Sequence, residues 1–211
     1  MKALFYKQFK LVCHPMTLLF TLFGVMFLIP NYPYTVAFFY VTLGLFFMMQ
    51  NGREQRDTAF SALLPIRKRD TVKVTVLFSV TVELFSMLVA VPFAVLSARI
   101  NPFDGNAAGI DANAAAFGMA FLLFAVFNYV FYVNFYRTGY KVGTAFIFAG
   151  IGMLFVVLCD VILPHVPGLL WLDGGELGKQ LPFLLACGVI YGASALLTYR
   201  MAAKRYERVN L

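Results

Sequence analysis

The chain has 211 residues, of which 61% are hydrophobic and only 13% charged, against about 25% charged in an ordinary soluble domain. That composition excludes a soluble globular domain. The net charge of +7 invites a nucleic-acid reading, but the cations sit at the ends of apolar stretches, where anionic headgroups attract them, so nucleic acid is set aside as a partner and membrane lipid is expected instead.

The first segment, residues 1–14, reads as an amphipathic helix. At 100° per residue Met1, Phe5, Phe9 and Val12 share one arc, while Lys7, Lys10 and His14 share another. Such a helix lies in the membrane interface with its cations toward headgroups. The other reading is a continuation of the first span. Pro15 favours a break, because proline disrupts a helix interior and is welcome in a first turn. Apolar stretches of spanning length follow at 15–29, 33–49, 71–97, 114–136, 142–163 and 181–199. Between the first two, Pro30-Asn31-Tyr32-Pro33 turns directly into the next helix, and no small-residue cleavage site is present, so a cleaved signal is not expected.

Residues 50–70 form a long and highly charged connection. Asn51-Gly52 reads as a helix stop. A short helix then begins, in which Arg53 and Asp57 have the spacing of an ion pair and Ala59, Phe60, Leu63 and Leu64 supply an apolar side. Pro65 ends that helix, and Asp70 is expected to N-cap the third span. Inside that span stands Glu83, about 18 Å along the helix from Thr71 and so near mid-membrane. It is either a polar point on a translocation path or subunit interface, or a carboxyl satisfied by Ser79, Ser86 or a polar group of another span.

The connection at 99–113 carries the turn residues Asn101-Pro102, Asp104-Gly105 and Asn106. The fourth span is crowded with Phe117, Phe121, Phe124, Phe127, Tyr129, Phe131, Tyr132, Phe135 and Tyr136, with Asn128 and Asn134 among them. Lipid-facing packing is the expectation for these rings, with contact to an amphipathic substrate as the alternative and Asn128 as a second candidate on the path. Asp160, near the end of the fifth span, is expected to reach the interface. Residues 164–180 contain Gly168-Leu169-Leu170-Trp171-Leu172, too apolar for a solvated loop and too short to span, and read as an interfacial or partly re-entrant element. The glycine pairs Gly139/Gly143 and Gly188/Gly192 have the spacing that lets helices approach closely.

With the N-terminus inside, fifteen of the seventeen Lys and Arg residues fall on one side; only Arg99 and Lys179 fall on the other. This positive-inside bias puts both termini in the cytoplasm. The fold class expected is therefore all-α and polytopic, one transmembrane domain over 1–211, with six spans, an interfacial N-terminal helix and a cytoplasmic helical loop between spans two and three.

Little in the chain points to catalysis. Cys13, Cys159 and Cys187 are widely spaced, and His14 and His165 lie on opposite sides in this topology, so no metal site is expected. Gly174-Gly175-Glu176-Leu177-Gly178-Lys179-Gln180 imitates a phosphate loop, but its glycine spacing is one short, Gln180 replaces the Mg²⁺-holding hydroxyl, and no strand precedes it. Leu172-Asp173-Gly174-Gly175-Glu176 imitates an ATPase signature on the face away from ATP.

The run REQRDTAFSALLPIRKRDTVKV at 53–74 resembles the inner loop of small six-span ABC-2-type transporter permeases of bacteria, with Leu64-Pro65-Ile66, the basic group Arg67-Lys68-Arg69, Asp70 and Val72-Lys73 in the matching order. Arg67 stands where that pattern has a small polar residue. The resemblance implies that Arg53, Glu54, Arg56, Asp57, Phe60, Leu63, Pro65, Arg67, Lys68, Arg69 and Asp70 form a coupling helix and its flank, docking a separately encoded cytosolic ATPase. It also implies a second permease, identical or not, and a bacterial plasma membrane. ATP and Mg²⁺ would then be bound by the partner, with no cofactor or catalytic residue in this chain. The function expected is the permease subunit of an ATP-driven exporter. A non-transporting membrane anchor or regulatory partner is the alternative from another class, ahead of an ATP-independent carrier and an intramembrane enzyme.

Overall fold

A computed structural model describes residues 2–100, 106 and 108–209, without the side chains of Thr58, Ala59 and Ala62. The turn residues Asn101-Pro102 and Asp104-Gly105, and Met1 of the first arc, lie outside the described residues. Eight α-helices account for most of the rest, and no strand occurs among the described residues. Five helices are long and apolar enough to cross a membrane, or six if a bent N-terminal pair counts as one span. The chain is an all-α polytopic membrane protein.

The N-terminal pair follows from two prolyl rules. Helix α1 (Lys2–Lys7) continues as a π-helical turn, Gln8–Val12, and stops before Pro15. Helix α2 (Pro15–Thr21) then starts with proline in its first turn, and the His14 ring accepts the Met16 N–H as a cap. The two axes differ by 96°, the break expected at Pro15. Beyond α2 the chain tightens into a 3₁₀ stretch, Leu22–Leu28. The 3₁₀ rise of about 2.0 Å per residue helps this short segment reach roughly 25 Å in all. Gly24 makes that possible sideways as well: a Cβ here would stand 2.7 Å from the Ala90 Cα, so only glycine allows the backbones to cross this closely.

Helices α3 (Thr35–Glu54), α5 (Lys68–Ile100), α6 (Ala114–Thr138), α7 (Val142–Ile162) and α8 (Leu177–Glu207) form the bundle. α5 has 33 residues, about 50 Å, and so exceeds the hydrocarbon thickness. The centre is α6, packed against α3, α7 and α8. Most of its aromatic rings face inward, which corrects the lipid-facing expectation: Phe124, Phe127, Phe131, Tyr132, Phe135 and Tyr136 are all buried, Phe117 and Phe121 are half-buried, and Tyr129 is exposed. Phe124 meets Phe38 at 5.7 Å, Phe131 meets Phe146 at 6.3 Å, and Tyr136 meets Tyr206 at 5.1 Å. Phe serves lipid and protein interior equally well, so composition alone could not say which way it faced. The lipid-facing rows are mainly aliphatic, with Ile147, Ile151 and Leu154 on α7 and Leu185, Val189 and Leu196 on α8 exposed, though Phe85 of α5 and Phe148 and Phe155 of α7 stand among them. A Cβ at Gly143 or Gly192 would meet nothing within 4 Å, so neither glycine pair mediates a close approach within the chain.

Both described chain ends lie at the same end of the bundle. Lys68 donates to the Val209 carbonyl at 2.7 Å, and Arg69 pairs with Glu207. The opposite end is closed by short segments that satisfy one another. Asn113 caps α6 through the Ala115 N–H and donates to the Leu172 and Gly174 carbonyls. Gln180 reaches back to the carbonyls of Trp171, Leu172 and Gly174, which explains the phosphate-loop look-alike as a helix-start clasp. Leu172 is buried and Trp171 packs edge-on to Phe183 at 6.2 Å, so this apolar element is a lid on the bundle. Asp160 is buried too, beside Gly109 and accepting from Thr35 at 2.7 Å, and does not reach the interface as its position implied.

Candidate coupling surface and buried polar cluster

Two groups of residues predicted from sequence are brought together, in different places. The first is the connection between α3 and α5. α3 runs on through Asn51 and Gly52 to Glu54, so this pair is not a stop. The Asn51 amide donates to the Val12 carbonyl, and Gly52 is packed against the Val12 side chain, which fixes the turn of helix instead of ending it. The reversal comes at Arg56, in the left-handed region at φ 53°, and α4 (Asp57–Leu63) follows. Because of that kink Arg53 and Asp57 are on different helices and do not pair. Asp57 is instead held by Lys7 of α1, at 2.7 Å, and the same ammonium donates to Ser61 at 2.8 Å. Lys7 therefore points at protein, not at headgroups. Phe5 and Phe9 pack beside Phe78 of α5, so α1 is clamped between α4 and α5. The i,i+4 rule holds only along a continuous helix, and no local pattern announces a left-handed arginine.

α4 stops where Pro65 requires, with Leu64 extended. Asp70 lies in the first turn of α5 and not at its cap, since α5 already begins at Lys68; there it still favours the positive end of the helix dipole. Phe60 and Leu63 are 56% and 85% exposed, an uncovered apolar pair on a helix fastened by Lys7 on a different face. Arg53, Glu54, Arg56, Pro65 and Arg67 are also exposed around it. Lys68 and Arg69, expected at the membrane surface, are tied to the end of α8.

The second group surrounds Glu83, which is fully buried where α5, α6 and α8 meet. Its Oε2 accepts from the Asn128 amide at 2.8 Å and from the Tyr191 hydroxyl at 2.6 Å. Ser79 and Ser86, the near neighbours in sequence, are engaged elsewhere: Ser79 with Tyr132, Ser86 with the Glu83 carbonyl. Glu83 Oε1 and Asn128 Oδ1 have no hydrogen-bond partner among the described residues. Tyr191 was missed in the sequence. The available signal was a hydroxyl in the middle of an aliphatic span, which must find a partner in lipid or pay heavily for its absence. Phe121 and Phe124 flank Tyr191 at 5.3 and 6.4 Å, so the cluster is enclosed. Its chemistry is cohesive: one carboxyl joins three helices. Among the described residues no three His, Cys, Asp or Glu side chains gather as a metal site.

These features agree with comparison at the family level. Residues 3–202 match the model of the family described as ABC-2 family transporter protein. Searches of curated proteins and of solved structures gave no match. The match covers nearly the whole chain, and with it the helical membrane architecture and the loop between α3 and α5: the chain belongs to the ABC-2 transporter family, as its membrane-spanning permease component.

Proposed function

We propose that the chain is the permease subunit of an ATP-driven exporter in a bacterial plasma membrane, working with a separate cytosolic ATPase and a second permease. ATP and Mg²⁺ are bound by the ATPase. Its closure pushes on α4, and the push passes through α1 and the start of α5 into the bundle. Both termini are cytoplasmic in this reading. Glu83 and Asn128, enclosed in the present conformation, join the translocation path only when α5 moves against α6 and α8. The observation that carries the proposal is α4 itself: a short helix with Phe60 and Leu63 uncovered and a different face, that of Asp57 and Ser61, fastened by Lys7. A solvated connector has no need of either feature, whereas a docking helix needs both.

The orientation is tested with single cysteines in a background lacking Cys13, Cys159 and Cys187. Glu176 and Arg56 are both exposed and make suitable sites. In intact cells Glu176→Cys should react with a membrane-impermeant maleimide and Arg56→Cys should be protected until the cells are opened. The reverse pattern refutes every role given to α4. The partner is tested by co-purifying the wild-type chain with an ABC ATPase encoded beside it; failure to capture one favours a membrane anchor or regulatory protein.

A further inference from the structure

Between the second half of α5 and the facing parts of α6 and α8 lies a cleft of about 770 Å³. That is the size of a small-ligand site, typically about 300–1,000 Å³. On α5 it is lined by Leu84, Leu88, Val91 and Val95, one row along the helix, with Leu88 68% exposed. Phe121 of α6 and Leu184 of α8 form the far wall. The cleft is open to the side, at the depth of the hydrocarbon, so the molecules that meet it first are acyl chains. Water there is improbable on polarity alone, since the lining is almost wholly apolar.

One end differs. Arg99, in the last turn of α5, lines the cleft and is exposed, and among the described residues no carboxylate pairs with it. Arg99 is sixteen residues beyond Glu83, about 24 Å along the helix. With Glu83 near the midplane, Arg99 lies at the outer edge of the headgroup region, which ends about 20–22 Å from the centre, and a tilt of α5 or an inward-reaching side chain brings its guanidinium to phosphate depth. Arg99 is one of only two Lys or Arg residues on the outer side of the topology expected from the charge count, and the other, Lys179, is already paired with Glu176 at 2.6 Å. A guanidinium fork matches a phosphate with two hydrogen bonds; every phospholipid offers that phosphate, but a choline headgroup neutralises it with its own cation, whereas an anionic lipid leaves the charge for the arginine. An apolar slot that ends in such a fork is complementary to one class of molecule.

We propose that this cleft binds one anionic phospholipid of the surrounding bilayer, with an acyl chain between α5 and α6–α8 and its phosphate on Arg99. The inference needs the chain to span a membrane and requires nothing of the ATPase or of export, so it stands or falls separately from the proposed function. The site differs from general lipid contact in having depth and a cation at one end, from which a headgroup preference follows.

The test uses the purified full-length chain, delipidated in a neutral detergent, with thermal unfolding followed as phosphatidylglycerol or phosphatidylcholine of the same acyl chains is added. A ligand that binds the folded state raises the unfolding temperature in proportion to its affinity. Phosphatidylglycerol should act at a concentration at least tenfold lower than phosphatidylcholine. Arg99→Gln should erase that difference, and Arg99→Lys should keep part of it. Leu88→Trp, which fills the cleft from an exposed position, should weaken both lipids at least fivefold. Should the tryptophan variant fail to fold, Val95→Ala with a shorter-chain lipid series serves in its place, and the preference for chain length should shift. Equal stabilisation by the two lipids in the wild type overturns the proposal. So does an undiminished preference in Arg99→Gln, or a folded Leu88→Trp that responds as the wild type does.

Discussion

Glu83→Lys is expected to remove most of the folded protein, whereas Glu83→Gln should leave yield and activity close to the wild type. The reasons are in the contacts of one oxygen. Glutamine keeps an acceptor where Asn128 and Tyr191 donate, and places an amide where Oε1 has no partner. Lysine removes the acceptor, leaves both donors unpaired and brings a cation to the middle of the span. Each abandoned buried donor costs about 1–3 kcal/mol. The buried cation adds roughly 2.5–3.5 kcal/mol on insertion-derived scales. Together these approach the whole stability of many proteins, about 5–15 kcal/mol. Tyr191→Phe, losing one donor, should fall between the two variants. The measurement is monodisperse yield from membranes and the unfolding temperature in detergent, followed by transport for whatever survives. A fully folded and active lysine variant would mean that Glu83 meets water or a tolerant surface, and it would leave the path.

Phe60→Ala should weaken ATPase binding by about 2 kcal/mol or more, near thirtyfold, if Phe60 fills a desolvated pocket on the partner. Leu63→Ala should have a similar sign and smaller size. Arg56→Glu should act differently, slowing association and changing its salt dependence, because Arg56 is at the rim. None of the three should alter membrane yield, since their side chains are exposed and outside the bundle. Co-purification with the ATPase, scored beside yield, reads both effects. Unchanged co-purification in Phe60→Ala and Arg56→Glu would reduce α4 to a connector.

Where the sequence was legible, a strong local rule was acting. Hydrocarbon thickness dictates the long apolar runs, so the bundle helices stood out. Proline dictates the break before α2 and the end of α4, and both were found where Pro15 and Pro65 require them. What could not be read depended on contacts distant in sequence or on faces of equal hydropathy. The partner of Glu83 on α8 is 108 residues away. The inward aromatic side of α6 is no more apolar than a lipid-facing side. Asp160 sits at a helix end, where an interface position is the sound default, and it is buried by residues distant in sequence, Thr35 and Gly109 among them. The ion pair expected within the loop failed because one residue, Arg56, left the helical region. The exchange of Arg53 for Lys7 as the partner of Asp57 is the same lesson: a charge takes whichever counter-ion the backbone delivers.

That exchange bears on how portable the loop is. Residues 50–70 look like a cassette that could be grafted between permeases to swap their ATPases. The graft would carry Asp57 and Ser61 but leave behind the ammonium that grips them, since Lys7 belongs to a segment more than forty residues earlier. A chimera that moves the loop alone would therefore present α4 at an uncontrolled angle, however faithful the residues proposed to make the contact. On the proposed coupling role, the transferable unit is discontinuous, the loop together with the first turns of the chain, and recombination between relatives would preserve partner choice only when both pieces travel together.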